Sequence, residues 1–260
     1  MAKILAITNQ KGGVGKTTTS VNLAASLAAA KRRVLLIDLD PQGNATMGSG
    51  VDKRTLQHTV YHALLGSRRI ADVRVTDTRG KYDLIPANRD LAGAEIEMVD
   101  LPRRETRLKE ALQELEGEYD FILIDCPPAL NLLTLNGLCA AYAVMIPMQC
   151  EYYALEGLSD LINTIKKVRA HLNPALEIEG LLRTMFDPRN ILAQQVSEQL
   201  QQHFGDKLYR TVIPRNVRLA EAPSFGTPVL YHDKLSKGTQ AYLALAGEML
   251  NRQAAGGVPV

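Results

Sequence analysis

A glycine-rich loop near the start of the chain carries the residues that most clearly predict chemistry. From Gln10 it reads QKGGVGKTT. Its glycines would let backbone N–H groups converge on phosphate oxygens, and the helix that follows would add the positive end of its dipole. Lys16 can reach the β- and γ-phosphates of a nucleotide, and Thr17 can hold Mg²⁺. The loop therefore predicts a nucleotide site formed by Gly12, Gly13, Val14, Gly15, Lys16, Thr17 and Thr18.

Three aspartates stand where apolar runs end. Asp38 and Asp40 are two residues apart after RVLLI, and Asp125 ends FILID. A spacing of two places Asp38 and Asp40 on the same face of the pleat as the chain leaves the sheet. One of the pair can serve the attacking water and the other Mg²⁺, whereas isolated strand-end aspartates form turns or cap helices. Three such acids beside a phosphate loop favour the catalytic interpretation.

Apolar runs and helical patterns alternate along the chain, and this order predicts the elements that position the site. Strands are predicted at 3–8, 33–38, 82–87, 121–125, 143–147, 178–182 and 208–213. Helices are predicted from Thr17 and at 103–115, 155–169, 191–203 and 238–252. The alternation predicts an α/β fold with a doubly wound, mostly parallel sheet, helices on both faces and a ligand at the carboxyl ends of the strands. We expect one domain over residues 1–260, with a loose tail at 253–260.

Composition excludes several other classes of protein. The chain has 260 residues, 46% apolar and 22% charged, which is typical of a globular protein with a substantial core. A net charge of +2 is small, so any DNA-binding surface must be local. Cys126, Cys139 and Cys150 lack the spacing of a metal site, and we expect them to be reduced. Neither a signal peptide nor a run of roughly 20 apolar residues is found, which favours a cytoplasmic protein without a membrane partner.

The loop also departs from the usual P-loop pattern. Gln10 stands where the first glycine is expected, and an additional lysine, Lys11, precedes the glycine pair. The form KGGVGKTT resembles that of the deviant Walker A ATPases, which include ParA-type partition proteins, MinD and nitrogenase iron protein. The resemblance covers the whole chain, and it is greatest to the ParA/Soj chromosome-partitioning group. It continues through DLDPQGN from Asp38, DCPP from Asp125 and IPRNVRLAEAPS from Ile213.

This resemblance implies cofactors and roles that spacing alone does not give. It implies ATP and Mg²⁺ as cofactors and a homodimer that encloses two ATP molecules, with Lys11 reaching the partner's nucleotide. Asp40 would orient or activate the attacking water. Asp38 would support Mg²⁺ or a switch loop, and Asp125 would hold Mg²⁺ through water. The implied catalytic residues are Lys11, Lys16 and Asp40, and the implied metal site is Thr17, Asp38 and Asp125.

Two further groups of residues are implied in the nucleotide site. Pro214 and Asn216 occupy the place where the family contacts adenine, although PRN is equally typical of a simple turn. Asn44 and Thr46 follow Asp40 in a polar loop and are candidates for a switch that senses the γ-phosphate.

The resemblance also implies a ParB-type partner that accelerates hydrolysis, non-specific DNA binding and a place on the nucleoid. The candidate DNA-binding residues are Arg189, Arg218, Lys234 and Lys237. Between Arg183 and Lys237 there are eight basic and five acidic residues, which by itself is typical of a solvated face.

Three alternatives remain within or near this family. A MinD-like ATPase would need a C-terminal amphipathic membrane helix, whereas this chain ends in small residues. Another cargo-positioning ATPase would share the same chemistry. An enzyme such as dethiobiotin synthetase would need a substrate pocket, and the iron protein needs cluster cysteines that Cys126 and Cys139 do not match.

Overall fold

The computed structural model describes residues 2–255, which fold around a seven-stranded sheet. Across the sheet the strand order is β3-β2-β4-β1-β5-β6-β7, and the neighbouring strands run parallel. This confirms the predicted doubly wound parallel sheet. The strands are β1 (Lys3–Ile7), β2 (Val34–Asp38), β3 (Asp83–Ile85), β4 (Phe121–Asp125), β5 (Ala143–Met148), β6 (Glu177–Phe186) and β7 (Leu208–Pro214).

Eleven α-helices are formed by the described residues, joined in places by short 3₁₀ turns. No helix within residues 2–255 combines the length and the apolar character needed to cross a membrane. The helices are α1 (Lys16–Ala29), α2 (Asn44–Gly48), α3 (Val60–Leu65), α4 (Leu91–Glu97), α5 (Arg107–Leu112), α6 (Leu132–Ala140), α7 (Ala154–His171), α8 (Ile191–Phe204), α9 (Val217–Glu221), α10 (Val229–His232) and α11 (Lys237–Ala255).

Alternate residues of the central strands enter two different apolar clusters. In β2, Leu35 and Ile37 pack in one cluster, while Val34 and Leu36 pack in the other. Helices α5 to α8 contribute to the first cluster, and α1 and α11 contribute to the second. A strand buried on both faces needs apolar side chains at every position, which is why the central strands read as continuous apolar runs.

Several element boundaries differ from the sequence predictions. The helix expected at 103–115 begins only at Arg107, because Arg103 has a left-handed φ of 55° in the preceding turn, and it ends as the 3₁₀ turn Gln113–Leu115. Strand β6 continues beyond the predicted 182 to Phe186. Helix α11 continues to Ala255, so residues 253–255 of the expected loose tail are helical, and the remainder of that tail lies outside the described residues.

Candidate nucleotide-binding site

The glycine-rich loop joins β1 to α1 at the carboxyl edge of the sheet. Gly13 and Gly15 have φ values of 74° and 88°, in the left-handed region that glycine adopts without strain. Gly15 is the N-cap of α1, whose first residue is Lys16. The first N–H groups of the helix therefore point toward the loop, where an anion would be stabilised by both the N–H groups and the helix dipole.

Lys16 lies inside this loop. Its side-chain Nζ donates a 2.9 Å hydrogen bond to the carbonyl oxygen of Lys11, and the residue is only 7% exposed. Burial lowers the pKa of Lys16, and the negative charges of Asp125 and Asp40 oppose that shift. The ammonium group thus lies between the loop and two of the predicted acids, in the place where a nucleotide's phosphates would replace the carbonyl as its partner.

Asp125 is held by hydroxyl groups from α1. Thr17 Oγ1 donates to its Oδ2 and Ser20 Oγ donates to its Oδ1, both at 2.8 Å. Burial, together with the charge of Asp38 beside it in the β2–β4 register, raises the pKa of the Asp125 carboxyl. Carboxylate and hydroxyl oxygens are the ligands that Mg²⁺ prefers, and a divalent cation would favour the ionised carboxylate. Thr17 and Asp125 therefore fit an Mg²⁺ site.

Asp38 is hydrogen-bonded to α2. Its Oδ2 accepts hydrogen bonds from Thr46 N at 2.8 Å and Thr46 Oγ1 at 2.7 Å, and its Oδ1 accepts one from Asp40 N at 3.1 Å. The Thr46 hydroxyl in turn accepts from Ala87 N at 2.9 Å. Burial raises the pKa of Asp38. Of its two predicted roles, this geometry favours support of the switch loop.

Asp40 lies just beyond the end of β2 and lines a cleft of about 550 Å³ with the glycine-rich loop. Its Oδ1 accepts a 2.8 Å hydrogen bond from Gln42 N. Gln42 and Asn44 line the same cleft. Asp40 therefore borders the space beside the phosphate loop, where a water-orienting group would be needed.

One end of the cleft is formed by the last residue of β7 and the chain that follows it. Pro214 and Asn216 line it together with Leu219 and Tyr242. Asn216 Oδ1 is buried, and it has no hydrogen-bond partner within residues 2–255. A buried amide oxygen without a partner is costly, and the exocyclic amino group of adenine is a donor that would satisfy it. This end of the cleft fits a base.

The side chain of Lys11 does not line the cleft. Its Nζ donates to Glu151 Oε2 at 2.6 Å, and both side chains are 49% exposed. Glu151 lies 140 residues away in the chain, just after β5, and sequence reasoning did not identify it. The ammonium is therefore held at the surface beside the loop rather than over the chain's own phosphate site.

The predicted DNA-binding residues are exposed, and two of them have acidic partners. Arg189 forms an ion pair of 2.8 Å with Asp187, and Arg218 pairs with Glu221 at 2.8 Å and Asp233 at 3.3 Å. Lys234 and Lys237 are exposed near the start of α11.

Arg215 is a basic residue that sequence reasoning missed. The hydrogen bonds from Arg189, with a smaller contribution from the charge of Arg215, lower the pKa of Asp187 to about 2. Phe186 of β6 pairs with Pro214 of β7, so Arg215 lies beside the Asp187–Arg189 turn. In the sequence, Arg215 is marked only by its position next to Asn216, the candidate adenine-binding residue.

Two other residues of the site were not identified from the sequence. Thr184 Oγ1, in β6, donates a 2.7 Å hydrogen bond to the Val14 carbonyl oxygen in the loop. Ser20 was not singled out, although a hydroxyl one turn after Thr17 on α1 faces the same side of the helix. The position of Ser20 one turn after Thr17 would have identified it as a candidate.

Comparison with known proteins agrees with this geometry. The AAA domain family model matches residues 2–178. The sporulation initiation inhibitor protein Soj of Bacillus subtilis is 56% identical, over 96% of this chain and 98% of its own length. The chromosome partitioning protein ParA of Caulobacter vibrioides is 52% identical, over 96% of this chain and 95% of its own length.

A solved structure adds a ligand to the comparison. Cobyrinic acid a,c-diamide synthase from Mycobacterium smegmatis, with bound ADP and magnesium, superposes with a TM-score of 0.87 at 38% identity, covering 99% of this chain and 97% of that one. The phosphate loop, the acids around it and two relatives above 50% identity over nearly the whole chain lead to one assignment. The chain belongs to the ParA/Soj family of chromosome-partitioning P-loop ATPases.

Proposed function

We propose that this protein hydrolyses ATP to ADP and phosphate, and that ATP joins two copies into a dimer that binds DNA non-specifically during chromosome or plasmid segregation. The observation that carries the proposal is the arrangement of Lys16, Thr17, Asp125 and Asp40 around one phosphate loop. Family membership supports the same activity.

Hydrolysis requires positioning and charge neutralisation more than covalent chemistry. Lys16 and the N–H groups of the loop bind the phosphates, and Thr17 and Asp125 would hold Mg²⁺, which would supply further positive charge beside them. Asp40 orients the attacking water from the edge of the cleft. The buried amide of Asn216 binds the adenine, and Pro214 packs beside it.

The position of Lys11 supports a role in a second copy's site. Its ammonium group is half-exposed and pairs with Glu151, an exposed acid, instead of entering its own cleft. An exposed ion pair contributes only about 0–1 kcal/mol, so Lys11 can exchange Glu151 for the more highly charged phosphates of a partner's nucleotide. Two such exchanges would close a symmetric dimer.

The charge distribution supports DNA binding by the dimer in particular. In a single copy, the charges of Arg189 and Arg218 are partly neutralised by Asp187, Glu221 and Asp233. One copy therefore presents a weak basic surface, and joining two copies doubles it. Phosphate contacts of this kind give binding that is indifferent to sequence and steeply dependent on salt.

The remaining parts of the proposal concern the partner and the location. A ParB-type protein accelerates hydrolysis, and a basic group that it supplies to the site can raise such rates by roughly 10³- to 10⁵-fold in related NTPases. Binding to DNA places the ATP-bound dimer on the nucleoid.

Binding to a non-specific DNA duplex tests this function. We would compare ATP, ADP and no nucleotide at low and moderate salt, with anionic vesicles measured in parallel. Salt-sensitive DNA binding that requires ATP is the expected result. Binding to vesicles instead would favour a MinD-like function, and binding to neither would favour a metabolic enzyme.

A further inference from the structure

Two glycines bring the segment after Asp40 into direct contact with the segment after Asn216. Gly50 lies two residues beyond α2, and Gly226 follows the 3₁₀ turn Ala222–Phe225. A Cβ atom at Gly50 would lie 2.7 Å from the Gly226 carbonyl oxygen, and one at Gly226 would lie 3.0 Å from Gly50 Cα. The two backbones therefore touch, and the Arg79 side chain packs beside them, since a Cβ at Gly50 would also lie 2.8 Å from Arg79 Cδ.

On the Gly50 side, the contact is connected to the nucleotide site through α2. Helix α2 follows directly on the loop of Asp40, and its Thr46 is held by Asp38 through two hydrogen bonds of 2.8 and 2.7 Å. Asp40 and Asn44 line the cleft. A change in the phosphates bound beside Asp40 therefore acts on the segment that ends at Gly50.

On the other side, the contact leads to the basic surface. The turn Ala222–Phe225 continues α9 without a break, and α9 contains Arg218. Arg218 contacts Asp233, which precedes Lys234. Arg79 Nη1 donates a 2.7 Å hydrogen bond to the Phe225 carbonyl oxygen and so holds the turn against Gly50 from a third segment.

We propose that the Gly50–Gly226 contact couples the nucleotide site to the DNA-binding surface, so that a shift of α2 moves the turn Ala222–Phe225 and α9, and thereby repositions Arg218. The inference deepens the proposed function and rests on it. Close-packed backbones pass on a displacement that flexible side chains would absorb. Gly50 and Gly226 are thus positioning residues for DNA binding.

The variant Gly226→Ala tests the coupling. Its Cβ would lie 3.0 Å from Gly50 Cα and 3.3 Å from the Met47 carbonyl oxygen, and it would force the two segments apart. The matched control is Gly117→Ala. Gly117 also has a positive φ, of 82° against 60° at Gly226, but a Cβ there would meet no described atom within 4 Å. The control therefore adds the same kind of backbone strain without the contact.

Two affinities are measured for each protein. One is the affinity for a non-specific duplex with a non-hydrolysable ATP analogue or with ADP, and the other is the affinity for the analogue relative to that for ADP, with and without the duplex. Coupling between two binding sites is reciprocal, so both ratios must change together. A merely structural role would lower stability and leave the ratios unchanged.

We expect the wild type and Gly117→Ala to bind the duplex at least about fivefold more tightly with the analogue than with ADP, the lower range of allosteric coupling. In Gly226→Ala both ratios should approach one, while the analogue's affinity without DNA stays within about twofold of the wild type. Wild-type ratios in Gly226→Ala would overturn the inference.

A second variant tests the coupling if Gly226→Ala fails to fold or to bind nucleotide. Arg79→Gln removes the hydrogen bond to Phe225 without adding atoms at the contact. Reduced ratios in that variant support the coupling, and unchanged ratios overturn it. If the wild type binds DNA equally with both nucleotides, the proposed function itself fails, and the coupling fails with it.

Discussion

At Lys11 the backbone and the side chain have different partners. The carbonyl oxygen accepts the hydrogen bond from Lys16 Nζ inside the loop, while the ammonium pairs with Glu151 outside it. The side chain can therefore be removed without disturbing the contact that orders the loop. This separation allows the cross-dimer role of Lys11 to be tested apart from nucleotide binding.

The variant Lys11→Ala should bind ATP with an affinity close to that of the wild type, because an exposed ion pair contributes only about 0–1 kcal/mol. It should nevertheless remain a monomer with ATP when its mass is measured by light scattering. Lys166→Ala, an exposed lysine on α7, is the control and should dimerise normally. An ATP-dependent dimer of Lys11→Ala would rule out the cross-dimer role.

The variant Asp40→Ala should retain ATP and lose turnover. The Asp40 carboxylate accepts a local hydrogen bond from Gln42 N, and Asp40 lines the cleft, so this change removes the proposed water-orienting group and leaves the contacts of the glycine-rich loop in place. We expect phosphate release to fall at least about 100-fold, the lower range for general base catalysis. Asp100→Ala, an exposed acid outside the cleft, should hydrolyse ATP normally. Wild-type phosphate release by Asp40→Ala would remove Asp40 from the mechanism.

The residues of the site differed in how far the sequence could predict them. Lys16 and Thr17 follow from a local pattern, because phosphate binding needs a fixed order of glycines, lysine and hydroxyl in one short loop. Glu151 and Thr184 are 140 and 170 residues from their partners in the chain. Only the strand order of the sheet brings them to the loop, and no local pattern encodes that order.

At the scale of elements, β6 supports the phosphate loop from within the same sheet, where only β5 separates it from β1. Thr184, which is 2% exposed, is the hydrogen-bond donor to the Val14 carbonyl oxygen, and a Cβ at Gly15 would lie 3.7 Å from its side chain. Asp187 and Arg189 follow directly after β6. The same strand therefore positions both the phosphate loop and Arg189, one of the candidate DNA-binding residues.

The variant Thr184→Val should destabilise the protein and weaken nucleotide binding. Valine keeps the shape of threonine but leaves the Val14 carbonyl without its donor, at a cost of about 1–3 kcal/mol. Thermal unfolding with and without ATP measures both effects. Thr184→Ser, which keeps the hydroxyl, should bind ATP better than Thr184→Val. Equal affinities for the two variants would show that the hydrogen bond to Val14 does not support the loop.

Element type was predicted better than element length. Runs such as FILID identify strands because both faces of the sheet are covered by helices, as the two clusters around β2 show. The helix predicted at 103–115 was too long because the left-handed turn at Arg103 depends on local backbone geometry that apolar spacing does not report. Position 103 is also an arginine rather than the glycine that usually marks such a turn.

At the scale of the whole molecule, parallel strands bring distant segments to one edge. The loop after β1, the acids at the ends of β2 and β4, and the chain after β7 all meet there. The basic residues lie on segments that leave this same edge, after β6 and β7. A ligand at the edge is therefore well placed to control both dimerisation and the basic surface.

The central claim is that ATP converts single copies into a dimer and that this dimer binds DNA. Analytical ultracentrifugation of the Asp40→Ala protein with a fluorescent non-specific duplex, in ATP or in ADP, reads both properties at once. The account predicts that in ATP the duplex sediments with a species of at least twice the 28.5 kDa chain mass, and that in ADP it sediments free. A duplex that sediments identically in ATP and ADP would contradict it.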